Sequence, residues 1–384
     1  MAASPHPIPS PRRPSLVGLA LGFAALTAIG IGVVVWLAVP AQPRVSARDN
    51  GDTYAGSATP TTTSTATVRG VAVPASIDST GATDASAALN AWVRTVPNGS
   101  TIVFRAGGYY RMDQSLDVQS RHNLTFEGNG ATLKSTGGFL PSNSLFQIFG
   151  DTGIVIRNFN LIGNSPTPGV YRLGQESAHG IQIVEGSNIE IANVHISNTY
   201  GDCANTDYWT DGVWMHDSTC TGASRCGFAV LSGKNILIEH NTYDHNGGMV
   251  LDIEPYEADG GADTVRFINN TSLYEGNSRD YSLPYGPEDY FFGANGGGGG
   301  IYNITISGNT LVRGIFKGIL DVPGTGLRYK NIVITNNTAL GDTAVGPTVT
   351  LAHIDGLTVT GNRVSLSSGQ LARITDSTGV TYVP

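Results

Sequence analysis

The chain has 384 residues, of which 14% are charged, with 50 glycines and a formal net charge of −8. This length can bury one large core or two ordinary ones. The acidic balance argues against nucleic-acid binding, because contacts to phosphates require a basic stripe and the sequence has none. Low charge and abundant glycine instead suit a β-rich, turn-rich protein, and a sugar chain remains a compatible partner.

The first 70 residues predict three segments that precede a folded domain. Residues 1–14 form a cytoplasmic tail. Residues 15–39 carry no charge, and at about 1.5 Å per residue they can cross the hydrocarbon core as a single transmembrane helix. A cleaved signal sequence is the alternative. Residues 40–70 are a Thr/Ser-rich linker. Both interpretations predict an extracellular domain, either on a single-pass protein of the cell membrane or secreted.

Residues 71–384 predict one all-β domain that opens with a helix. Residues 85–93 are mostly good helix formers, and Leu89, Trp92 and Val93 make an apolar face. Such a helix would cap the open end of a solenoid. The strands that follow alternate apolar and polar residues and end at an asparagine, which predicts a stacked asparagine ladder. The asparagines concerned are Asn158, Asn193, Asn241, Asn270, Asn309, Asn337 and Asn362.

The most regular repeat runs from residue 177 to residue 255. His179, Asp202, Arg225 and Gly248 follow one another at intervals of 23 residues. This period fits one coil of a right-handed parallel β-helix, in which adjacent coils lie about 4.8 Å apart. The domain would then contain about ten to twelve coils. Residues one period apart become neighbours on one face, so His179, Asp202 and Arg225 are predicted to form a polar column.

Two groups of motifs carry a family resemblance. The segments GATDASAALNAWV, IVFRAGGYYRM and NLTFEGNGATL resemble the N-terminal pattern of the pectate-lyase-like, or pectin-lyase-fold, superfamily. The segment RCGFAVLSGKNILIEHNTYDHNGG, followed by LDIEP, resembles bacterial right-handed parallel β-helix repeat proteins. The resemblance covers about residues 71–384, most of the chain. It implies the fold, whereas hydrolases, lyases, epimerases and non-catalytic tailspike-like proteins share this scaffold.

The polar column and its neighbours are the predicted catalytic centre. Asp202, Arg225 and the pair Asp252 and Glu254 fall on three successive coils, and alternation turns the pair outward from the LDIEP strand. Two carboxylates across a sugar linkage suffice for hydrolysis, since one protonates the leaving oxygen while the other activates water or attacks. In a lyase, Arg225 could serve as a clamp or as the base, and the high pKa of arginine favours the clamp.

Other polar and aromatic residues are predicted to bind the substrate. Some lie in the column or in the loop after Asp202, and two lie in the aromatic insertion at residues 275–300, which predicts a lid or a subsite wall. These candidates are His179, Asp207, Trp209, Asp211, Tyr285 and Tyr290.

The three cysteines allow one disulfide. Cys203 and Cys226 are 23 residues apart, so they should be stacked neighbours within bonding distance. This pair is favoured, and Cys220–Cys226, which would close a tight loop, is the alternative. An extracellular location permits the bond.

The leading functional prediction is an extracellular polysaccharide-cleaving enzyme, similar to glycoside hydrolases, whose substrate lies along a groove on the β-helix. A lyase or epimerase acting on uronic-acid polymers is a second hypothesis, and a non-catalytic module that binds glycan or cell wall is a third. Hydrolysis requires no cofactor, whereas a lyase could use calcium held by acidic residues. The predicted partners are a polysaccharide and, through the N-terminal helix, the membrane.

Overall fold

The computed structural model describes residues 70–136, 144–255, 260–275, 290–294, 298–321 and 327–383. Ser64–Pro384 forms one compact unit. The predicted membrane span at residues 15–39 lies outside the described residues. Within the described ranges, no helix is long and apolar enough to cross a membrane.

The described elements are one helix and a series of short strands. In chain order they are β1 (Gly70–Ala72), β2 (Thr80–Asp84), α1 (Ser86–Val93), β3 (Thr101–Val103), β4 (Tyr109–Met112), β5 (Leu116–Gln119), β6 (Thr125–Ser135), β7 (Phe146–Phe149), β8 (Thr152–Ile162), β9 (Ile181–Val184), β10 (Ser187–Ala192), β11 (His195–Ser197), β12 (Ala204–Asp207), β13 (Asp211–His216), β14 (Thr219–Thr221), β15 (Phe228–Val230), β16 (Gly233–Glu239), β17 (Thr242–Asn246), β18 (Leu251–Ile253), β19 (Ala262–Ile268), β20 (Thr271–Glu275), β21 (Phe292–Ala294), β22 (Ile301–Ser307), β23 (Thr310–Leu311), β24 (Gly318–Leu320), β25 (Tyr329–Thr335), β26 (Thr338–Val345), β27 (Val349–Ala352), β28 (Ile354–Thr360), β29 (Arg363–Ser368), β30 (Ala372–Thr375) and β31 (Thr378–Val383).

The strands build a parallel β-helix, as the sequence predicts. Ten described strands form one wall, here called the short sheet: β5, β7, β9, β12, β15, β18, β21, β24, β27 and β30. The other strands form the long sheet, to which most coils contribute two strands each. Each strand pairs in parallel with the equivalent strand of the next coil. Inward-facing Ile, Leu, Val and Phe side chains fill the cylinder with one continuous core.

Helix α1 covers the first strand of the short sheet. Leu89 and Val93 are buried in the core. The side chain of Asn90 takes the place of a neighbouring strand, because its nitrogen donates to the Ser115 carbonyl at 2.8 Å and its oxygen accepts from the Asp117 amide at 2.9 Å. The helix therefore satisfies backbone groups that an exposed sheet edge would leave open. The predicted capping role is confirmed by this packing.

Five of the seven predicted turn asparagines form a ladder inside the turns. The backbone N–H of each donates to the side-chain oxygen of the next, at 2.9–3.0 Å, in the series Asn241, Asn270, Asn309, Asn337 and Asn362. The left-handed backbone position lies one residue earlier, for example at Asn269 and Asn336. Asn158 and Asn193 are left-handed themselves and form a separate exposed pair. The ladder prediction is wrong for these two.

Removing one rung should destabilise the domain. In Asn309→Ala the amides of Asn270 and the carbonyl of Phe267 would lose buried partners, so we expect the free energy of unfolding to fall by about 2–3 kcal/mol. Denaturant titration monitored by circular dichroism measures this. Asn160→Ala, which removes one exposed bond to the Gly130 carbonyl, should change stability by less than about 0.5 kcal/mol; equal losses in both variants would contradict the role of the ladder.

The disulfide joins Cys203 to Cys220, and the buried Cys226 is not part of this bond. The predicted pair Cys203–Cys226 is therefore wrong, and so is the alternative. Strands β12 and β15 pair Ala204 with Phe228, which are 24 residues apart rather than 23. A shift of one residue turns a side chain to the other face of a strand. Cys203 consequently joins the core with Cys220, whereas Cys226 faces the acidic side chains described below.

Peptide mapping should identify this pairing. Proteolysis without reduction, followed by mass spectrometry, should yield a linked pair of peptides containing Cys203 and Cys220, with Cys226 alkylated by iodoacetamide after unfolding. Replacing both bonded cysteines by alanine should cost about 3 kcal/mol, since the bond closes a loop with a sequence separation of 17. A linked Cys226 peptide would contradict the structure.

Candidate active site

Three carboxylates from two coils meet at Arg225, which stands on the coil between them. The guanidinium Nε lies 3.7 Å from Asp202 Oδ1, and Nη2 lies 3.9 Å from Asp252 Oδ2 and 3.8 Å from Glu254 Oε2. The predicted convergence of these four side chains is confirmed. We call them the Arg225 cluster.

The short sheet brings the cluster together on its outer face. Asp252 lies between Leu251 and Ile253, both buried in the core, so its side chain must point outward. Asp202 and Arg225 stand just before β12 and β15, at the corner where the chain enters the sheet. The register of 24 residues places Asp202 level with Cys226, one position from the predicted neighbour. The long side chain of Arg225 spans this offset.

The members of the cluster differ in their access to solvent. The side chain of Asp202 is 0% exposed and that of Asp252 is 5% exposed, whereas Glu254 is 16% and Arg225 is 22% exposed. A polymer can touch Arg225, Glu254 and the edge of Asp252. The prediction that Asp202 acts directly on the substrate is wrong in this structure, because its carboxylate lies behind Arg225.

His179 supports Asp202 from inside the site. Its Nδ1 lies 3.0 Å from the backbone nitrogen of Asp202 and 3.1 Å from Asp202 Oδ2. Its Nε2 lies 3.1 Å from the side-chain nitrogen of Asn205. His179 is only 4% exposed, so the prediction of direct substrate contact is wrong for this residue. Its place in the predicted column is confirmed.

The charges of the cluster are mutually stabilising. Burial raises the pKa of Asp202, but the nearby Arg225 guanidinium and His179 outweigh it and leave the pKa below its usual value. The Asp202 carboxylate in turn raises the pKa of Arg225, against the effect of burial, with smaller contributions from Asp252 and Glu254. Arg225 is therefore a permanent cation, and Asp202 is its buried counter-ion.

Cys226 and Glu176 belong to the site although the repeat did not predict them. The Cys226 amide donates to Asp202 Oδ1 at 3.0 Å, and its sulfur lies 3.6 Å from Asp252 Oδ2. Glu176 accepts a hydrogen bond from the Tyr171 hydroxyl. Burial raises the pKa of Glu176, but that bond and two backbone hydrogen bonds, with a smaller contribution from the charge of Arg225, bring it below the usual value. The register of β12 and β15 explains why Cys226 lies beside Asp202, whereas Glu176 comes from a loop outside the repeat.

The three residues predicted after Asp202 lie in different places. Asp207 ends β12 and Glu254 follows β18, two strands along the short sheet, so their backbones are about 10 Å apart on the same wall. Trp209 follows in the turn and is 64% exposed. Asp211 instead begins a strand of the long sheet and pairs with Lys234 at 3.2 Å. The prediction that Asp211 lines the same groove is wrong.

The turn after β12 holds two aromatic residues in a strained conformation. Tyr208 and Trp209 have positive φ angles of 39° and 55°. Bulky residues rarely adopt this region, and such strain tends to occur at functional sites. Trp209 packs against Gly260, where a Cβ would lie 2.5 Å from the indole. The turn thus holds an exposed indole beside the outer face of the short sheet.

Tyr290 lines a cleft of about 420 Å³ farther along the same wall, with Lys317, Thr348 and Thr350. Tyr285 lies outside the described residues. The predicted lid at residues 275–300 is wrong for its last part, because Phe291 and Phe292 are buried and Phe292 begins β21. The apolar run there is a core strand.

The site does not suit a calcium ion. Between the carboxylates of the cluster stands the guanidinium of Arg225, at 3.7–3.9 Å from each. Among the described residues, no group of three or more His, Cys, Asp or Glu side chains is arranged to hold a metal ion.

Known families and proteins resemble parts of this chain. The family described as rhamnogalacturonase A/epimerase, pectate lyase-like, matches residues 73–259, and a repeat of Chlamydia polymorphic membrane proteins matches residues 264–304. Rhamnogalacturonase A of Emericella nidulans is 24% identical over 65% of this chain and 48% of its own length. A probable rhamnogalacturonase A of Aspergillus oryzae is 24% identical over 65% of this chain and 57% of its own length. The chain thus spans about half the length of these relatives.

A family 28 exopolygalacturonase of Yersinia enterocolitica is similar in structure, with a TM-score of 0.48 and 13% identity over 79% of this chain and 76% of the enzyme. The family match, the curated relatives and the parallel coils agree with the motifs in the sequence. The resemblance of this chain to the pectate-lyase-like, or pectin-lyase-fold, superfamily is confirmed.

Proposed function

We propose that this protein is a polysaccharide-cleaving hydrolase whose active site is the Arg225 cluster. Asp252 and Glu254 act as the carboxylate pair, and Arg225 orients the sugar between them. One observation carries the proposal: a single nitrogen of Arg225 lies 3.9 Å from Asp252, which is 5% exposed, and 3.8 Å from Glu254, which is 16% exposed.

The geometry of the pair suits acid–base catalysis. Because both oxygens contact one nitrogen, they can be no more than about 7.7 Å apart (3.9 Å plus 3.8 Å). Separations of this order let two carboxyl groups flank one glycosidic bond. One group would protonate the leaving oxygen while the other activates water or attacks the sugar.

The permanent charge of Arg225 favours hydrolysis over elimination. A lyase that used Arg225 as its base would need the neutral guanidine, and the surrounding carboxylates raise the pKa of this group further. Arg225 can therefore bind hydroxyl or carboxylate groups but cannot abstract a proton. Asp202 and His179 are positioning residues, because Asp202 contacts Arg225 from the buried side and His179 contacts Asp202.

The substrate groove extends along the short sheet on both sides of the cluster. Trp209 offers an exposed aromatic face on which a sugar ring can stack, and Asp207 stands beside it. Tyr290 and Lys317 line the cleft beyond Asp252. The names of the curated relatives, which are rhamnogalacturonases, support a polysaccharide as the substrate.

A polysaccharide panel tests this function. The purified full chain should release new reducing ends from at least one polymer, without the ultraviolet absorbance of an unsaturated sugar. Appearance of that absorbance would show that the protein cleaves by elimination and not by hydrolysis. Tight binding of a polymer with no product of either kind would overturn the enzymatic proposal in favour of a binding module.

We further infer that the domain works outside the cytoplasm. The buried Cys203–Cys220 bond supports an oxidising compartment, and the uncharged run at residues 15–39 supports an anchor. Carbonate extraction of membranes from expressing cells tests the anchor: the full chain should stay in the pellet, and release of the chain into the medium would indicate cleavage.

A further inference from the structure

A second aromatic surface lies on the long sheet, away from the Arg225 cluster. The side chain of Trp214, in β13, is 41% exposed. Its indole stacks on the imidazole of His216, with ring centroids 3.9 Å apart and an angle of 23° between the planes. The two residues are neighbours on the same side of one strand.

Carboxylates fix this aromatic pair in place. The indole N–H donates to Glu239 at 3.0 Å. His216 Nδ1 lies 2.7 Å from Asp217, and Nε2 lies 3.5 Å from Glu190. Glu190 and Glu239 come from the strands on either side of β13. The indole is therefore held before any ligand arrives, which lowers the entropy lost on binding.

One face of the indole remains open. His216 covers the face toward the end of the strand, and the position two residues before Trp214 is Gly212, which has no side chain. Among the described residues, His216 is the only ring that contacts Trp214. Beside Gly212 stands the side-chain oxygen of Asn188, 3.3 Å from where a Cβ would lie, and near it Asp211 accepts from Asn235 at 2.8 Å and pairs with Lys234 at 3.2 Å. The space between the indole and these polar groups, here called the gap, lies on the outer face of the long sheet.

We propose that this gap is a binding site for a neutral sugar ring, separate from the proposed active site. The apolar C–H face of a pyranose would stack on the indole, and its hydroxyl groups would donate to Asp211 and to the carboxamide of Asn188. An acidic sugar is disfavoured, because the carboxylates of Glu190, Asp217 and Glu239 surround the aromatic pair and Lys234 is already paired with Asp211. The occupant is a neutral polysaccharide that lies across the flat wall.

Affinity electrophoresis tests this site without relying on catalysis. The full chain carrying Glu254→Gln, which removes a proposed catalytic group, is run in gels containing neutral galactan or hydroxyethyl cellulose, and in gels containing polygalacturonate. We expect retardation by a neutral polymer, about tenfold or more weaker after Trp214→Ala. Trp214→Phe should keep most of the binding, because a ring remains.

The controls separate this site from the active site. Leu340→Ala, an exposed apolar residue of β26 many coils away, should leave retardation unchanged, and all variants should melt within about 2 °C of one another. Absence of retardation in both neutral polymers, or equal retardation of the Trp214→Ala variant, would overturn the proposal. Either result leaves the hydrolase proposal untouched, since that depends on product release by the chain with Glu254 intact.

Discussion

Asp252→Asn and Glu254→Gln should each lower the turnover number by about 10²–10⁴-fold on the polymer that the protein cleaves. Each substitution keeps the shape of the side chain but removes the ability to give or take a proton. Since both carboxylates contact Arg225 at 3.8–3.9 Å, the loss should fall on turnover more than on KM. Release of reducing ends at several substrate concentrations measures this.

A matched control separates chemistry from loss of surface charge. Asp355→Asn removes a carboxylate from the long sheet, where Asp355 pairs with Arg328 at 2.9 Å. Its turnover should match the unmodified chain. If Asp252→Asn and Glu254→Gln both retain more than about a tenth of the activity, the pair does not perform the chemistry.

Asp202→Asn should instead reduce stability strongly. The carboxylate is fully buried, and its loss leaves the half-buried Arg225 without its main counter-ion. Breaking such a pair costs about 3–5 kcal/mol. Thermal unfolding followed by calorimetry should show a melting point lower by about 5–15 °C. Glu254→Gln, whose carboxylate is more exposed, should melt close to the unmodified chain, so activity and stability separate between the two variants.

The pH dependence gives this prediction a second test. The folded-state pKa of Asp202 lies below its unfolded value, so its carboxylate stabilises the fold above the unfolded pKa of about 3.9. This stabilisation is lost as the pH falls through the folded pKa. The difference in unfolding free energy between the unmodified chain and Asp202→Asn should therefore be full near neutral pH and shrink below about pH 4. A difference that is constant down to pH 2 would contradict the account.

The sequence predicted the fold because repetition exposes it. Apolar segments that recur along the chain and end at an asparagine follow directly from stacked coils, and the ladder of Asn270 and Asn309 confirms that interpretation. The convergence of Arg225 with Asp252 and Glu254 was predictable for the same reason, because equivalent positions of successive coils become neighbours.

Details that depend on register were not predictable. The coil from β12 to β15 is one residue longer than the repeat. Cys226 therefore faces away from Cys203, and the disulfide differs from the predicted one. Burial of Asp202 and His179 was not visible either, because part of the site comes from a loop outside the repeat, which supplies Glu176. The chain turns a corner between Asp207 and Asp211, so Asp211 lies on the long sheet and not on the short sheet. Strand alternation carries no information about such corners.

The most direct test of the central claim is a crystal structure of the full chain carrying Glu254→Gln, soaked with an oligosaccharide of the polymer that it cleaves. The account predicts a sugar on the outer face of the short sheet, with a hydroxyl or ring oxygen within hydrogen-bond distance of Asp252 and Arg225. An oligosaccharide bound only elsewhere, with the Arg225 cluster untouched, would contradict it.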